Sequence, residues 1–173
     1  MRIPTRGGSD DYSAAAGAVA HELSAPFVHG LRVRYGECDA QGVVFNANYF
    51  SYFDIAMTEL WRAAIGSYDA MVDRGVDMVV AEAHARYLAP ARFDDELEIA
   101  VTIERLGNTS TTTRHHVRRD GEELVDGSLR HVFVDPESLR KTPIPDWIRE
   151  ALEPFVVEAI PPANVPAAAD QRR

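Results

Sequence analysis

Asp39 is the residue in this chain best placed to do chemistry. It stands in the run from Tyr35 to Tyr49, just before Gly42, and that run opens into a long apolar segment reaching Gly66. A carboxylate beside a carbonyl can attack it, or take the proton from a water that does. The apolar segment reads as a helix. Its unpaired N–H groups and positive dipole end suit an oxygen that becomes negative. The N–H of Asn46 is the candidate donor, and Gly42 lets the backbone turn tightly between the two groups. These are the parts needed to open a thioester. The plainer account of Asp39 is a side chain that caps a turn, which aspartate does often.

Other residues offer weaker chemistry. Asp54 and Glu59 lie on the same helix, and their simplest role is a polar contact at an interface or with a loop. Cys38 is next to Asp39 but points away from it if the segment is extended; a small buried apolar residue is its plainer role. The six histidines show no metal-ligand spacing, and one cysteine makes a zinc site improbable. The glycines form no phosphate-cradling loop. Arg114, Arg118, Arg119, Arg140 and Lys141 stand out on an acidic chain and could meet phosphates. A solvated hairpin end explains each of them as well.

Periodicity supplies the elements that would hold these groups. Leu31, Val33 and Tyr35 alternate with Arg32 and Arg34, which predicts a half-buried strand. From about Asn48 to Ile65, Tyr49, Phe53, Ala56, Met57, Leu60, Trp61 and Ala64 recur at helical spacing. Phe50, Tyr52 and Ile55 widen that stripe, so the helix must be covered on several sides. Asn46 or Asn48 is the expected N-cap and Gly66 the expected C-cap. Four strands follow: one near 79–87, one over 97–103, one over 109–119, and a return strand to about Val134 after the Asp120-Gly121 turn. A short helix over about 145–152 begins at Pro145. One strand, a long helix and four strands predict an α+β domain in which a curved antiparallel sheet wraps one long central helix. One helix cannot cover the whole face, so a homodimer or homotetramer is expected.

Bulk properties narrow the field. The 173 residues are enough for one domain. The hydrophobic share is 46% and the charged share 26%, as in ordinary globular proteins. Net charge is −9, from 18 basic and 27 acidic residues, which argues against a nucleic-acid or basic membrane-surface partner. A lone cysteine, no bilayer-length apolar run and no secretion signal predict a reducing, cytoplasmic setting. Residues 1–25 read as a flexible leader, 26–155 as the domain, and 156–173 as a flexible tail.

The segment Asp39-Ala40-Gln41-Gly42-Val43-Val44-Phe45, with Asn48, Tyr49 and Glu59 after it, resembles the hotdog-fold acyl-CoA thioesterases. It is most similar to their 4-hydroxybenzoyl-CoA thioesterase and Tol-Pal-associated branch. Tyr87-Leu88-Ala89-Pro90, Gly107 with Ser110, Val134-Asp135-Pro136, and Lys141 with Pro143 and Pro145 agree in order. The resemblance spans roughly residues 27 to 153. It implies a hotdog fold, oligomers built from dimers, and hydrolysis of an acyl-CoA or acyl-carrier-protein thioester without metal or redox cofactor. Asp39 would be the catalytic carboxylate and the backbone N–H of Asn46 the oxyanion donor. Gly42, Val43, Val44, Phe45, Tyr49, Glu59 and Lys141 would meet the substrate. Relatives commonly carry His or Tyr where this chain has Asn46, and often Arg where it has Met57; both departures bear on acyl specificity. The rival readings are a thioesterase for carrier-protein-bound chains, a non-catalytic acyl-CoA-binding protein, and a hydratase, for which no His/Asp dyad is found.

Overall fold

The computed structural model describes residues 25–157. Strand β1 (Phe27–Arg32) comes first, then a 3₁₀ turn (Tyr35–Glu37), helix α1 (Asn48–Ile65) and a short helix α2 (Tyr68–Val72). Strands β2 (Asp77–Tyr87), β3 (Glu96–Leu106), β4 (Ser110–Arg119) and β5 (Glu122–Val134) follow, then helix α3 (Asp146–Leu152) and a 3₁₀ turn (Glu153–Phe155). The five strands form one antiparallel sheet in the order β1-β3-β4-β5-β2. The architecture is α+β, in agreement with a hotdog fold. Register shifts at Val80/Glu82, Ile103/Arg105 and Val117/Arg118 interrupt the ladders. Each such irregularity bends its strand and increases the local twist.

Helix α1 forms because its 18 residues contain no glycine or proline and carry a broad apolar stripe. Tyr49, Tyr52, Phe53, Ala56, Met57, Leu60 and Trp61 are buried. They share the core with Leu97, Ile99, Val101 and Ile103 of β3, Val117 of β4, and Val125, Leu129 and Phe133 of β5. Burying a side chain the size of Phe53 contributes roughly 1.5–3 kcal/mol. Its ring lies against the backbone of β5: a Cβ added to Gly127 would sit 2.3 Å from Phe53 Cζ. That close approach accounts for a glycine in the middle of a buried strand.

Two local expectations need correction. The first strand runs over Phe27–Arg32, earlier than the Leu31–Tyr35 alternation suggested. Pairing with β3 sets its span, from Phe27 opposite Val101 to Arg32 opposite Glu96, and Tyr35 falls in the following 3₁₀ turn. The N-cap of α1 is Ala47, with no side-chain cap. Asn48 instead sends its amide to the carbonyl of Glu37 at 2.7 Å. Gly66 ends α1 at φ 88°, and its N–H donates to the carbonyl of Arg62. Asp120 and Gly121 take φ 50° and 83°, the left-handed pair that a tight hairpin requires. Val156 bridges Ile103, and the N–H of Val157 donates to the same residue's carbonyl. The rest of the expected leader and tail lies outside the described residues. Among those described, no helix is long and apolar enough to cross a membrane.

Candidate active site

Three segments meet in front of α1. The turn at 39–43 is closed by two backbone bonds: the N–H of Asp39 donates to Val43 O, and the N–H of Gly42 to Asp39 O, both at 2.9 Å. Gly42 holds φ 72°, a conformation costly for any residue with a Cβ. The N–H of Val44 then donates to Ala91 O, and that of Phe45 to Glu37 O, both at 2.9 Å. Chain 87–91 thereby lies beside the turn, although it is distant in sequence. Tyr87 donates its hydroxyl to Asn46 O at 2.9 Å, and the Tyr49 hydroxyl accepts from the N–H of Ala91 at 3.3 Å.

The result is a cavity of about 460 Å³ lined by Asp39, Gln41, Val43 to Asn46, Tyr49, and Tyr87 to Pro90. Its walls are mostly apolar or aromatic, with a carboxylate and a helix start among them. Asp39 is half-buried. One carboxylate oxygen accepts from the N–H of Gln41 at 2.8 Å, the turn-capping bond that the plainer account of this residue requires. The other has no protein partner among the described residues. The N–H groups of Asn46 and Ala47 likewise find no acceptor there, whereas Asn48 already donates to Phe45 O.

Electrostatics around the cavity are set by burial and by one anchored acid. Desolvation holds the hydroxyl of Tyr49 above its ordinary pKa, so it stays protonated. The same happens to Tyr52, where burial is the first cause and the hydrogen bond to Glu37 (2.7 Å) the second. At Asp95 burial opposes ionisation. The N–H of Arg92 (2.8 Å) and the Arg119 guanidinium (2.7 Å) outweigh it and hold the carboxyl below its ordinary range. Arg119 also donates to Pro90 O at 3.3 Å, which ties the cavity wall to this ion pair.

Of the residues singled out in the sequence, Asp39, Val43, Val44, Phe45, Asn46 and Tyr49 line the cavity, and Gly42 shapes the turn beneath it. Glu59 and Lys141 are not among the lining residues. Glu59 pairs with Arg62 further along α1, and Lys141 is exposed on the loop after β5. Gln41 and Tyr87 to Pro90 are additional lining residues. Tyr87-Leu88-Ala89-Pro90 was visible as a motif, but nothing local in it tells that it faces Asp39. Arg114 pairs with Asp126 at 2.5 Å and Arg119 with Asp95 and Glu122, so these cations are already engaged.

The atoms of His116, Glu123 and Asp126 that could ligate a metal lie within 4.8 Å of one another on the sheet. Asp126 is already claimed by Arg114 and by Arg86 (3.2 Å), and His116 by Glu123 (2.7 Å). With two guanidinium groups on its most buried ligand, the trio is better described as an ion-pair network.

Comparison with known proteins now bears on this geometry. A model of the Thioesterase-like superfamily matches residues 33–152, which includes the whole cavity. The chain belongs to the Thioesterase-like superfamily. Within it, the chain is similar to the acyl-CoA thioester hydrolase YbgC of Escherichia coli, 34% identical over 119 residues, 68% of this chain and 89% of that one. Among solved structures it resembles a protein of Aquifex aeolicus, with TM-score 0.70 and 31% identity over 73% of this chain and 99% of that one. It also resembles the BH1999 gentisyl-coenzyme A thioesterase, with TM-score 0.65 and 27% identity over 73% of this chain and 98% of that one. This superfamily member thus carries its cavity entirely inside the matched region.

Proposed function

We propose that the chain hydrolyses an acyl-CoA thioester to a free acid and CoA, with Asp39 as the reacting carboxylate and the start of α1 as the oxyanion site. The observation that carries this reading is convergence. Among the described residues, a carboxylate oxygen of Asp39 without a protein partner, the unpaired N–H of Asn46, and an apolar wall all border one cavity. The acyl-CoA hydrolase relatives support the reaction class, and the Asp39 to Phe45 segment supports the 4-hydroxybenzoyl-CoA thioesterase and Tol-Pal-associated branch.

The acyl group sits against Val43, Val44, Phe45, Tyr49 and Leu88, and its carbonyl oxygen faces the helix start. Either Asp39 removes a proton from a water that adds to the carbonyl carbon, or it adds directly and forms an anhydride that water then cleaves. In both routes the carbonyl oxygen becomes negative and accepts from the backbone N–H of Asn46. The C–S bond breaks when that charge collapses back, and CoA leaves as a thiolate that takes up a proton. Losing one oxyanion donor costs on the order of 3–4 kcal/mol in such a barrier. The Asn46 side chain is not required for this role, because the donor is the main chain.

Replacing Asp39 by Asn keeps size and shape but removes the base and nucleophile. We expect a folded protein that releases free CoA thiol from acyl-CoA at least about a hundredfold more slowly. Activity close to that of the unaltered chain would overturn the assignment. A panel of acyl-CoA esters then ranks the acyl groups. Single turnover in ¹⁸O-water, with label sought in the Asp39 carboxylate, separates the direct route from the water route.

A homodimer or homotetramer belongs to the same proposal. Strand β2 pairs with β5 on one side, and among the described residues its other edge is free. Val79, Val80 and Tyr87 on it are 41%, 49% and 45% exposed. A free edge with exposed apolar residues favours pairing with a second copy, and Tyr87 would bring that seam to the cavity. Light scattering should give a multiple of the 19.2 kDa chain mass; a monomer at micromolar concentration would remove this part.

A further inference from the structure

Tyr87 reaches the start of α1 from across the fold. It ends β2 opposite Val125 of β5, and the N–H groups of Leu88 and Ala89 then donate to Leu124 O at 2.8 and 3.1 Å, so its backbone is fixed against β5. Its ring meets that of Tyr49 edge-on, with centroids 5.5 Å apart and planes at 63°. Tyr49 is buried and packs in turn against Tyr52, with centroids 5.6 Å apart. A phenylalanine would serve this packing as well. The hydroxyl adds one thing, a 2.9 Å bond to the carbonyl of Asn46, 41 residues away in the chain. Burial holds that hydroxyl above its ordinary pKa, so it keeps its proton and donates.

That bond falls beside the proposed oxyanion donor. The N–H of Asn46 belongs to the peptide that joins it to Phe45, and the carbonyl of this peptide accepts from the N–H of Asn48 at 2.9 Å. The bond fixes the plane of the peptide, and polarisation along it strengthens the N–H at the other end. The next peptide carries the Asn46 carbonyl. It receives the N–H of Tyr49 at a long 3.4 Å and the Tyr87 hydroxyl at 2.9 Å. No side chain caps α1 at Ala47, so the Tyr87 bond is a short tie between this end of the helix and the sheet. With the peptides on both sides of Asn46 pinned, its N–H has little freedom to swing.

A donor to a developing charge must be held closely, because small misplacements cost large factors in rate. We infer that Tyr87 is a positioning residue: its hydroxyl clamps the Asn46 carbonyl and so keeps the neighbouring Asn46 N–H aimed at the thioester oxygen. This role rests on the oxyanion reading above. Tyr87 also lines the cavity, so direct contact with the acyl group is one competing role. It stands on the outermost strand of the described sheet, so a purely structural part in pairing is the other. The three roles move different quantities. A clamp acts on the transition state, and its loss lowers kcat. An acyl contact acts on binding, and its loss raises KM. A pairing residue changes stability or oligomeric mass.

Two measurements on the full chain test it. Tyr87→Phe removes the hydroxyl and keeps the ring. We expect kcat on an acyl-CoA to fall about tenfold or more, short of the roughly hundred- to thousandfold loss from removing a donor outright. KM should stay within about twofold, and the thermal midpoint and light-scattering mass should not move. An unchanged kcat, a loss carried by KM, or a fall that comes with a lowered midpoint or altered mass overturns the inference. The second measurement reads the donor itself, by infrared absorption of a ¹³C-labelled thioester carbonyl bound to the slow Asp39→Asn variant. We expect that carbonyl to absorb at lower frequency than in the free ester, and Tyr87→Phe added to Asp39→Asn to undo part of the shift. An equal shift in both proteins overturns the role of Tyr87 and leaves the oxyanion site standing. No shift in Asp39→Asn itself defeats the oxyanion reading, and the clamp with it. Full activity of Asp39→Asn defeats the assignment of the carboxylate instead, and the kcat and KM of Tyr87→Phe then decide the clamp alone.

Discussion

Among the described residues, two regions that hold unpartnered polar groups contrast, and the contrast separates a site from a burden. At the start of α1, one oxygen of Asp39 and the N–H of Asn46 lack protein partners among the described residues but border an open cavity. Deeper, on the sheet face that packs against α1, Thr111, Thr113, His115 and His131 are buried. There His115 bonds Thr113 through one ring nitrogen at 2.9 Å, while its other nitrogen and one of His131 have no partner. The Phe53 ring lies 4.8 Å from His115, centroid to centroid, at a tilt of 36°. Water reaches the first group, so its free valences cost little and can bind a reacting oxygen. Water does not reach the second, so its free valences reduce stability. An unpaired group is an invitation to chemistry only where a substrate can arrive.

Removing Phe53 attacks this contrast hardest. Phe53→Ala would leave a void over Gly127 and beside His115, and we expect a loss of about 3–5 kcal/mol in denaturant unfolding. A loss under 1 kcal/mol would mean that the ring does not seal the histidines. Asp39→Asn is the complementary change. Its hundredfold effect on rate corresponds to about 2.7 kcal/mol of barrier, and its thermal midpoint should hardly move. A drop of several degrees would make Asp39 a structural cap.

Acid separates the regions by a different route. Burial, helped by the His131 and His116 charges, pushes the pKa of His115 down to about 3, and burial alone pushes that of His131 down to about 4. Unfolded, both return to about 6.5. The native state therefore binds fewer protons below that value. Stability is full above pH 6.5 and falls as pH drops toward 4, by up to about 1.4 kcal/mol per pH unit for each histidine. Urea unfolding between pH 7 and 4.5 measures the slope, and His115→Gln should make it shallower. An unchanged slope would place the acid sensitivity elsewhere. The smallest expected effect is at the turn. Gly42→Ala meets only Arg92, at an ordinary 4.0 Å, but must hold φ 72°. We expect about 1–2 kcal/mol of destabilisation from backbone strain, read in the same titration, and a neutral result would show that the turn relaxes.

Sequence and tertiary structure divided the work along a physical line. Signals that act within a few residues were legible in the chain itself. The 3.6-residue stripe placed α1 at Asn48–Ile65, Gly66 closed it, and Asp120-Gly121 made the β4–β5 turn. The Asp39–Gly42 turn ahead of a helix start also marked where a carboxylate and free N–H groups could meet. What depends on pairing between distant segments was not legible. The first strand slid to Phe27–Arg32 because β3 sets its register, and Ala47 became the N-cap because Asn48 reached Glu37 instead. Only the folded chain brought Tyr87 to Pro90 against Asn46 and engaged Arg114 and Arg119 with acids. Dihedral preference and side-chain periodicity are local and so are written residue by residue. Which groups end up paired, sealed or open depends on what packs across the gap, and that is settled when the sheet closes on α1.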